Sequence, residues 1–251
     1  MNRTGLWIAL VVGASVGLVF GLAPQLDLKL SAPFYDPNHL GFWARVHPNW
    51  LWVRWLGIWV PTVVAIAVGA ALIIKLILPR TRMLIPGRAV VLMLSTLALG
   101  PGLVTNVTLK DNWARPRPID VTEFKGDEHF RAWWDPRGDC PKNCSFVAGE
   151  PSGAIWLMSG AAVLPPHWRT AAYGLTLMFA TMVGAGRLAA GGHFMSDILF
   201  AGVFTFLIVW AVHGLLYRWR TRITDEQVEG TIERVMVPPH DALMRLLGRR
   251  P

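Results

Sequence analysis

Gly186-Arg187-Leu188-Ala189-Ala190-Gly191-Gly192-His193-Phe194-Met195-Ser196-Asp197 joins two strongly apolar runs. In these apolar surroundings it sets an arginine, then a histidine, then a carboxylate four residues after the histidine. On a helix beginning near His193, the i to i+4 spacing stacks Asp197 one turn below the imidazole. There it would accept from one ring nitrogen and leave the other free as a nucleophile. Arg187 would hold an anion against that nitrogen. Taken alone, the same residues also read as an arginine snorkelling at a helix end and a His–Asp pair satisfying itself in a bundle core. Residues earlier in the chain decide between the two.

The flanking runs set the fold class. The chain has 251 residues, 53% of them hydrophobic and 16% charged, with 13 Trp and a mean hydropathy of +0.40. That is too apolar for a soluble domain of this length and predicts an all-α polytopic membrane protein. The net charge of +8 sits in short clusters between apolar runs and in the tail, which points to anionic lipid and not to nucleic acid.

Working outward, spans are expected at about Leu6–Leu22, Leu56–Leu78, Ala89–Leu109, Pro151–Leu164, Ala171–Gly186 and Met195–Tyr217. The first run also resembles a secretory signal, with Gly21-Leu22-Ala23 as a cleavage site, but a retained span is preferred. Arg80, Arg82 and Arg88, then Arg169, then Arg218, Arg220 and Arg222 mark cytoplasmic ends, giving a six-helix bundle over residues 1–222 with both termini inside. Residues 223–251 form a cytoplasmic tail, read as an amphipathic surface helix or as a disordered or soluble extension. This topology brings Lys110, Glu150, Arg187 and His193 to helix ends on the outer face, where they can converge on one site.

Lys110 and Arg117 are separated by six residues in Lys110-Asp111-Asn112-Trp113-Ala114-Arg115-Pro116-Arg117-Pro118. Two cations in one pocket neutralise a phosphate dianion, and arginine does so with a planar fork. Alone, the pair equally describes a juxtamembrane basic patch. Together with Arg187, His193 and Asp197 at their spacings, it resembles the first and third signatures of the type-2 phosphatidic acid phosphatase family, over roughly residues 30 to 220. The third signature opens with serine in the family and with Gly186 here. The middle signature, Pro-Ser-Gly-His, is altered. Ser145-Phe146-Val147-Ala148-Gly149-Glu150 puts Glu150 at the histidine and Gly149 at the glycine. The competing register, Pro151-Ser152-Gly153-Ala154, leaves no acid. The first is favoured, and its Gly-Glu ending is similar to the lipid A 1-phosphatase branch.

The resemblance implies metal-independent hydrolysis of a phospholipid or glycolipid phosphate, without cofactor, through a phosphohistidine. His193 would be the nucleophile, Asp197 its orienting acid and Glu150 the proton donor to the leaving oxygen, with Lys110, Arg117, Arg187 and Gly149 binding the phosphate. It also implies a bacterial inner membrane with the site facing the periplasm. Lipid A 1-phosphate is the favoured substrate. An isoprenyl pyrophosphate, phosphatidylglycerophosphate, transfer to a second lipid, and a non-enzymatic lipid-phosphate binder stay open. Cys140 and Cys144, the two cysteines, are read as a disulfide on an oxidising side or as two free thiols.

Overall fold

The structure, a computed structural model, describes residues 1–39, 41–219 and 223–248. Helices dominate it because the apolar runs satisfy their backbone groups internally. Helix α1 (Arg3–Leu22) starts where the Asn2 side chain accepts from the Gly5 N–H at 3.0 Å. A short α2 (Gln25–Ser31) follows, then a two-residue antiparallel ribbon, β1 (Tyr35–Asp36) with β2 (Gly41–Phe42), and α3 (Trp43–Val46). Helix α4 (Leu51–Ile77) contains Pro61. Helix α5 (Gly87–Leu97) widens into π-helical turns from Ala98 to Lys110. After the long loop come α6 (Gly149–Trp156), α7 (Met158–Val163), α8 (Pro166–Ala189) and α9 (Met195–His213), the last continued by π-helical turns to Arg218. Helix α10 (Asp225–Leu246) closes the described chain.

Among the described residues, four helices are long and apolar enough to cross a membrane: Arg3–Leu22, Leu51–Ile77, Gly87–Lys110 and Met195–Arg218. The other two expected spans do not reach that standard. The fourth is broken at Leu157 into α6 and α7 of eight and six residues. The fifth is long but diluted by Gly174, Thr176, Thr181, Gly184, Gly186 and Arg187. Of the expected basic marks after α9, Arg220 and Arg222 lie outside the described residues.

Helices α6 and α9 sit at the centre, with α6 packed against α4, α8 and α9, and α9 also against α1. The loop from Asp111 to Ala148 folds over one end of this bundle. Phe42, Val121, Phe124 and Phe194 form one apolar cluster there, and in another Trp133 stacks on Phe146 and packs at a tilt on Phe200. A loop rich in charge is thus pinned by aromatic side chains.

Candidate active site

His193 is fully buried on the short loop between α8 and α9. The two glycines before it explain the loop. Gly191 has φ +61°, the left-handed region, and a Cβ there would stand 2.3 Å from the Phe42 ring. A Cβ on Gly192 would stand 2.3 Å from Nη2 of Arg187. The arginine therefore folds back over a backbone that only glycine leaves open.

The histidine precedes its helix instead of starting it, since α9 begins at Met195 with Phe194 as N-cap. Asp197 is then the third helical residue, and its Oδ2 accepts from the Phe194 N–H at 2.9 Å and from the Ser145 hydroxyl at 2.5 Å. Its Oδ1 accepts from Arg115. The expected Asp197–imidazole bond is thus corrected, because the carboxylate is occupied as a helix-start acceptor and ion-pair partner. Nδ1 of His193 instead lies 2.7 Å from the Ser145 carbonyl oxygen. A carbonyl can only accept, so Nδ1 carries the hydrogen and Nε2 the lone pair. Asp197 reaches the ring at one remove, by fixing the residue whose carbonyl fixes it.

Nε2 has no hydrogen-bond partner among the described residues and lies 3.9 Å from Oε2 of Glu150. Burial first, then the fields of Arg187, Arg117 and Lys110, hold the imidazole pKa well below its ordinary 6.5, so the ring is neutral at pH 7.

The cations come from three elements. Lys110 ends the π-helical turns, its Nζ 3.3 Å from where a Cβ on Gly149 would stand. Arg117 donates from Nη2 and Nε to the Asn143 carbonyl at 2.6 and 3.2 Å. Arg187 is 6% exposed, and its Nε lies 3.4 Å from Oε2 of Glu150 without a hydrogen-bond partner. Arg117 and Arg187 line one cavity of about 450 Å³.

The structure separates the two registers of the altered motif. Glu150 stands in the first turn of α6 beside Arg187 and His193. Ser152 is buried between helices, bonded to Thr105 and Thr205, and Ala154 belongs to the apolar core. Cys140 and Cys144 form a disulfide. Their segment runs alongside the Lys110 motif, with Cys144 N–H donating to the Lys110 carbonyl and Ser145 N–H to that of Arg115. Among the described residues no cluster of His, Cys, Asp and Glu has the makings of a metal site.

Residues 87–222 match the PAP2 superfamily. The chain belongs to that superfamily. It is similar to a lipid A 4'-phosphatase of Francisella tularensis subsp. novicida (strain U112), 31% identical over 223 residues that cover 87% of this chain and 98% of the relative. Lipid A 4'-phosphatases of Rhizobium leguminosarum and Rhizobium etli are 39% and 37% identical over 118 residues, 47% of this chain. Those two matches cover 50% and 46% of the relatives, about half of each relative's length. No solved structure matches. The PAP2 chain is a phosphatase. Its relatives' names carry the 4' position where the Gly149-Glu150 ending suggests the 1 position.

Three features of this PAP2 site escape sequence reasoning. Asp27 and Arg115 are both fully buried, with Arg115 Nη2 donating to Asp27 at 2.8 Å. Arg115 also donates to Ser196 Oγ at 2.9 Å and to Asp197, while Asp27 accepts from the Ser196 N–H and hydroxyl at 3.0 and 2.6 Å. Ser145 links this network to His193. The only signal for Arg115 is its place in the Arg115-Pro116-Arg117-Pro118 run, and Asp27 has none. At Gly186, where the PAP2 signature has serine, a Cβ would stand 2.7 Å from Val53, so α4 fills the space a hydroxyl would need.

Proposed function

We propose that this protein is an integral bacterial membrane phosphatase that removes the 4'-phosphate of lipid A through a phosphohistidine. The reading rests chiefly on one observation: a buried, neutral imidazole with Nδ1 committed to a carbonyl and Nε2 unpartnered, set among three cations. The substrate comes from the relatives' names, above all the one matched over nearly its full length.

In this mechanism Nε2 of His193 attacks phosphorus, an N–P bond forms, and the P–O bond to the sugar breaks. Lys110, Arg117 and Arg187 neutralise the phosphoryl oxygens, where charge resides in the transition state. Glu150 protonates the departing sugar oxygen and then takes a proton from the water that attacks the phosphohistidine, returning the imidazole and releasing inorganic phosphate. Ser145 and Asp197 hold the ring throughout.

Helices α6 with α7 and α8 complete a six-span bundle around the four apolar spans. The basic residues Lys75, Arg80, Arg82 and Arg88 lie at the end opposite the site and face the cytoplasm. A disulfide at the site end agrees with a periplasmic face.

The test is phosphate release by the purified protein from lipid A and its 1- and 4'-monophosphates, without added metal. Release from the 4' position is expected, together with an acid-labile phosphoenzyme that His193→Ala abolishes. Turnover by His193→Ala would remove the nucleophile assignment, and full activity in Glu150→Gln would remove the proton donor.

A further inference from the structure

Two arginines in the cavity are not used by the chemistry above. Arg45, from α3, and Arg54, from the first turn of α4, line the same 450 Å³ space as Arg117 and Arg187. Charge counting shows the surplus. Once Glu150 has given its proton to the leaving oxygen, its carboxylate and the two charges of the phosphoryl group together balance Lys110, Arg117 and Arg187. Arg45 and Arg54 then remain as two further positive charges facing one enclosure.

Neither is committed to a carboxylate at hydrogen-bonding distance. Arg45 donates through Nε to the Ala190 carbonyl at 2.8 Å, which ties it to the loop that carries His193. Arg54 has Nε 3.8 Å from Oε1 of Glu150, and its side chain is 57% exposed. Arg187, nine-tenths buried and lining the same space, has its Nε without a hydrogen-bond partner. The remaining wall includes Trp50, Leu51 and Val53, and Trp50 packs on Trp43 with ring centroids 4.9 Å apart. A flat indole surface beside arginine forks suits a sugar that carries anionic groups.

We infer that Arg45 and Arg54 form a second anion subsite, which takes another anionic group on the same lipid headgroup while the scissile phosphate lies against His193. The inference rests on the phosphatase reading for the identity of the first subsite. It makes the enzyme selective for headgroups that carry two anionic groups over those that carry one. Because Arg54 lies nearest Oε1 of Glu150 and Arg187 nearest Oε2, a second anion at Arg54 also bears on the group that protonates the leaving oxygen.

The experiment compares a β-linked glucosamine disaccharide lipid bearing one phosphate monoester with the same lipid bearing a second phosphate on its other sugar. Binding is measured by displacement on the full chain carrying His193→Ala in detergent micelles, and hydrolysis on the chain with His193 intact. About tenfold tighter binding of the bisphosphate is expected, with the preference lost in R54Q and in R45Q and partly kept in R54K. Equal binding of the two lipids, or equal weakening of both in R54Q, would overturn the subsite. If the chain with His193 hydrolyses neither lipid while the preference persists and R54Q removes it, the subsite stands and the phosphatase reading falls.

Discussion

At the scale of single residues, Asp27 carries more of the site than its surroundings in the sequence suggest. It is a lone carboxylate on α2 and touches no residue that meets the phosphate. Through Arg115 and Ser196 it nevertheless sets the position of Asp197, which sets Ser145, which sets the imidazole. Asp27→Asn keeps the shape and removes one of two charges that compensate a fully buried guanidinium. Losing such a partner costs about 3 kcal/mol, to be read as a lower unfolding temperature. If Asp27 is a positioning residue, kcat falls about tenfold or more while KM holds. A rise in KM alone would place it elsewhere in the reaction.

His193 itself makes stability depend on pH, and the sign follows from its surroundings. Its folded pKa lies well below 6.5, so below that pH the unfolded chain takes up a proton that the folded chain refuses. Stability from this group is complete above pH 6.5 and falls with acid, by about 1.4 kcal/mol per pH unit until the folded pKa is reached. Thermal unfolding in detergent at pH 7 and pH 5 should therefore differ less in His193→Gln than in the unaltered chain. An identical pH response in both would mean that the imidazole titrates in the fold as it does in the unfolded chain.

Among the elements, α10 shows what a pattern can hide. The tail reads as amphipathic when its apolar residues are followed, but its acidic residues tell more. Asp225, Glu229, Glu233 and Asp241 recur at multiples of four, a stripe that winds slowly round the helix. It lies along the basic residues from the end of α4 to the start of α5. Asp225 pairs with Arg88, Glu229 and Glu233 with Lys75, and Asp241 with Arg80 through two bonds of 2.6 and 2.7 Å. Lys75 is only 1% exposed, so its two glutamates compensate a buried charge. Val235 and Leu243 stay exposed. Replacing both Glu229 and Glu233 by glutamine should cost about 2 kcal/mol, discounted for the exposure of Glu233. Proteolysis between α9 and α10 should become faster, and an unchanged cleavage rate would show that other contacts hold the helix.

For the whole molecule, the apolar runs made the helical membrane architecture legible, because composition alone dictates what must avoid water. The two signatures singled out Lys110, Arg117, Arg187 and His193, which the structure gathers at one end of the bundle. The partner of the imidazole was not legible. Phe194 is no customary N-cap, so nothing in the letters says that α9 starts after His193 instead of at it. The Asp27–Arg115 pair was hidden for a different reason. Its members stand 88 residues apart and meet only through folding of the loop over the bundle, which no local periodicity encodes.

That same pair has a consequence for how the chain is made. Asp27 emerges from the ribosome early, but Ser196, which gives it two hydrogen bonds, follows 169 residues later. Until α9 is made, α2 lacks that anchor, and Arg115 lacks both the hydroxyl and the second carboxylate it binds. A half-synthesised phosphatase therefore has no network to hold the imidazole of its later loop.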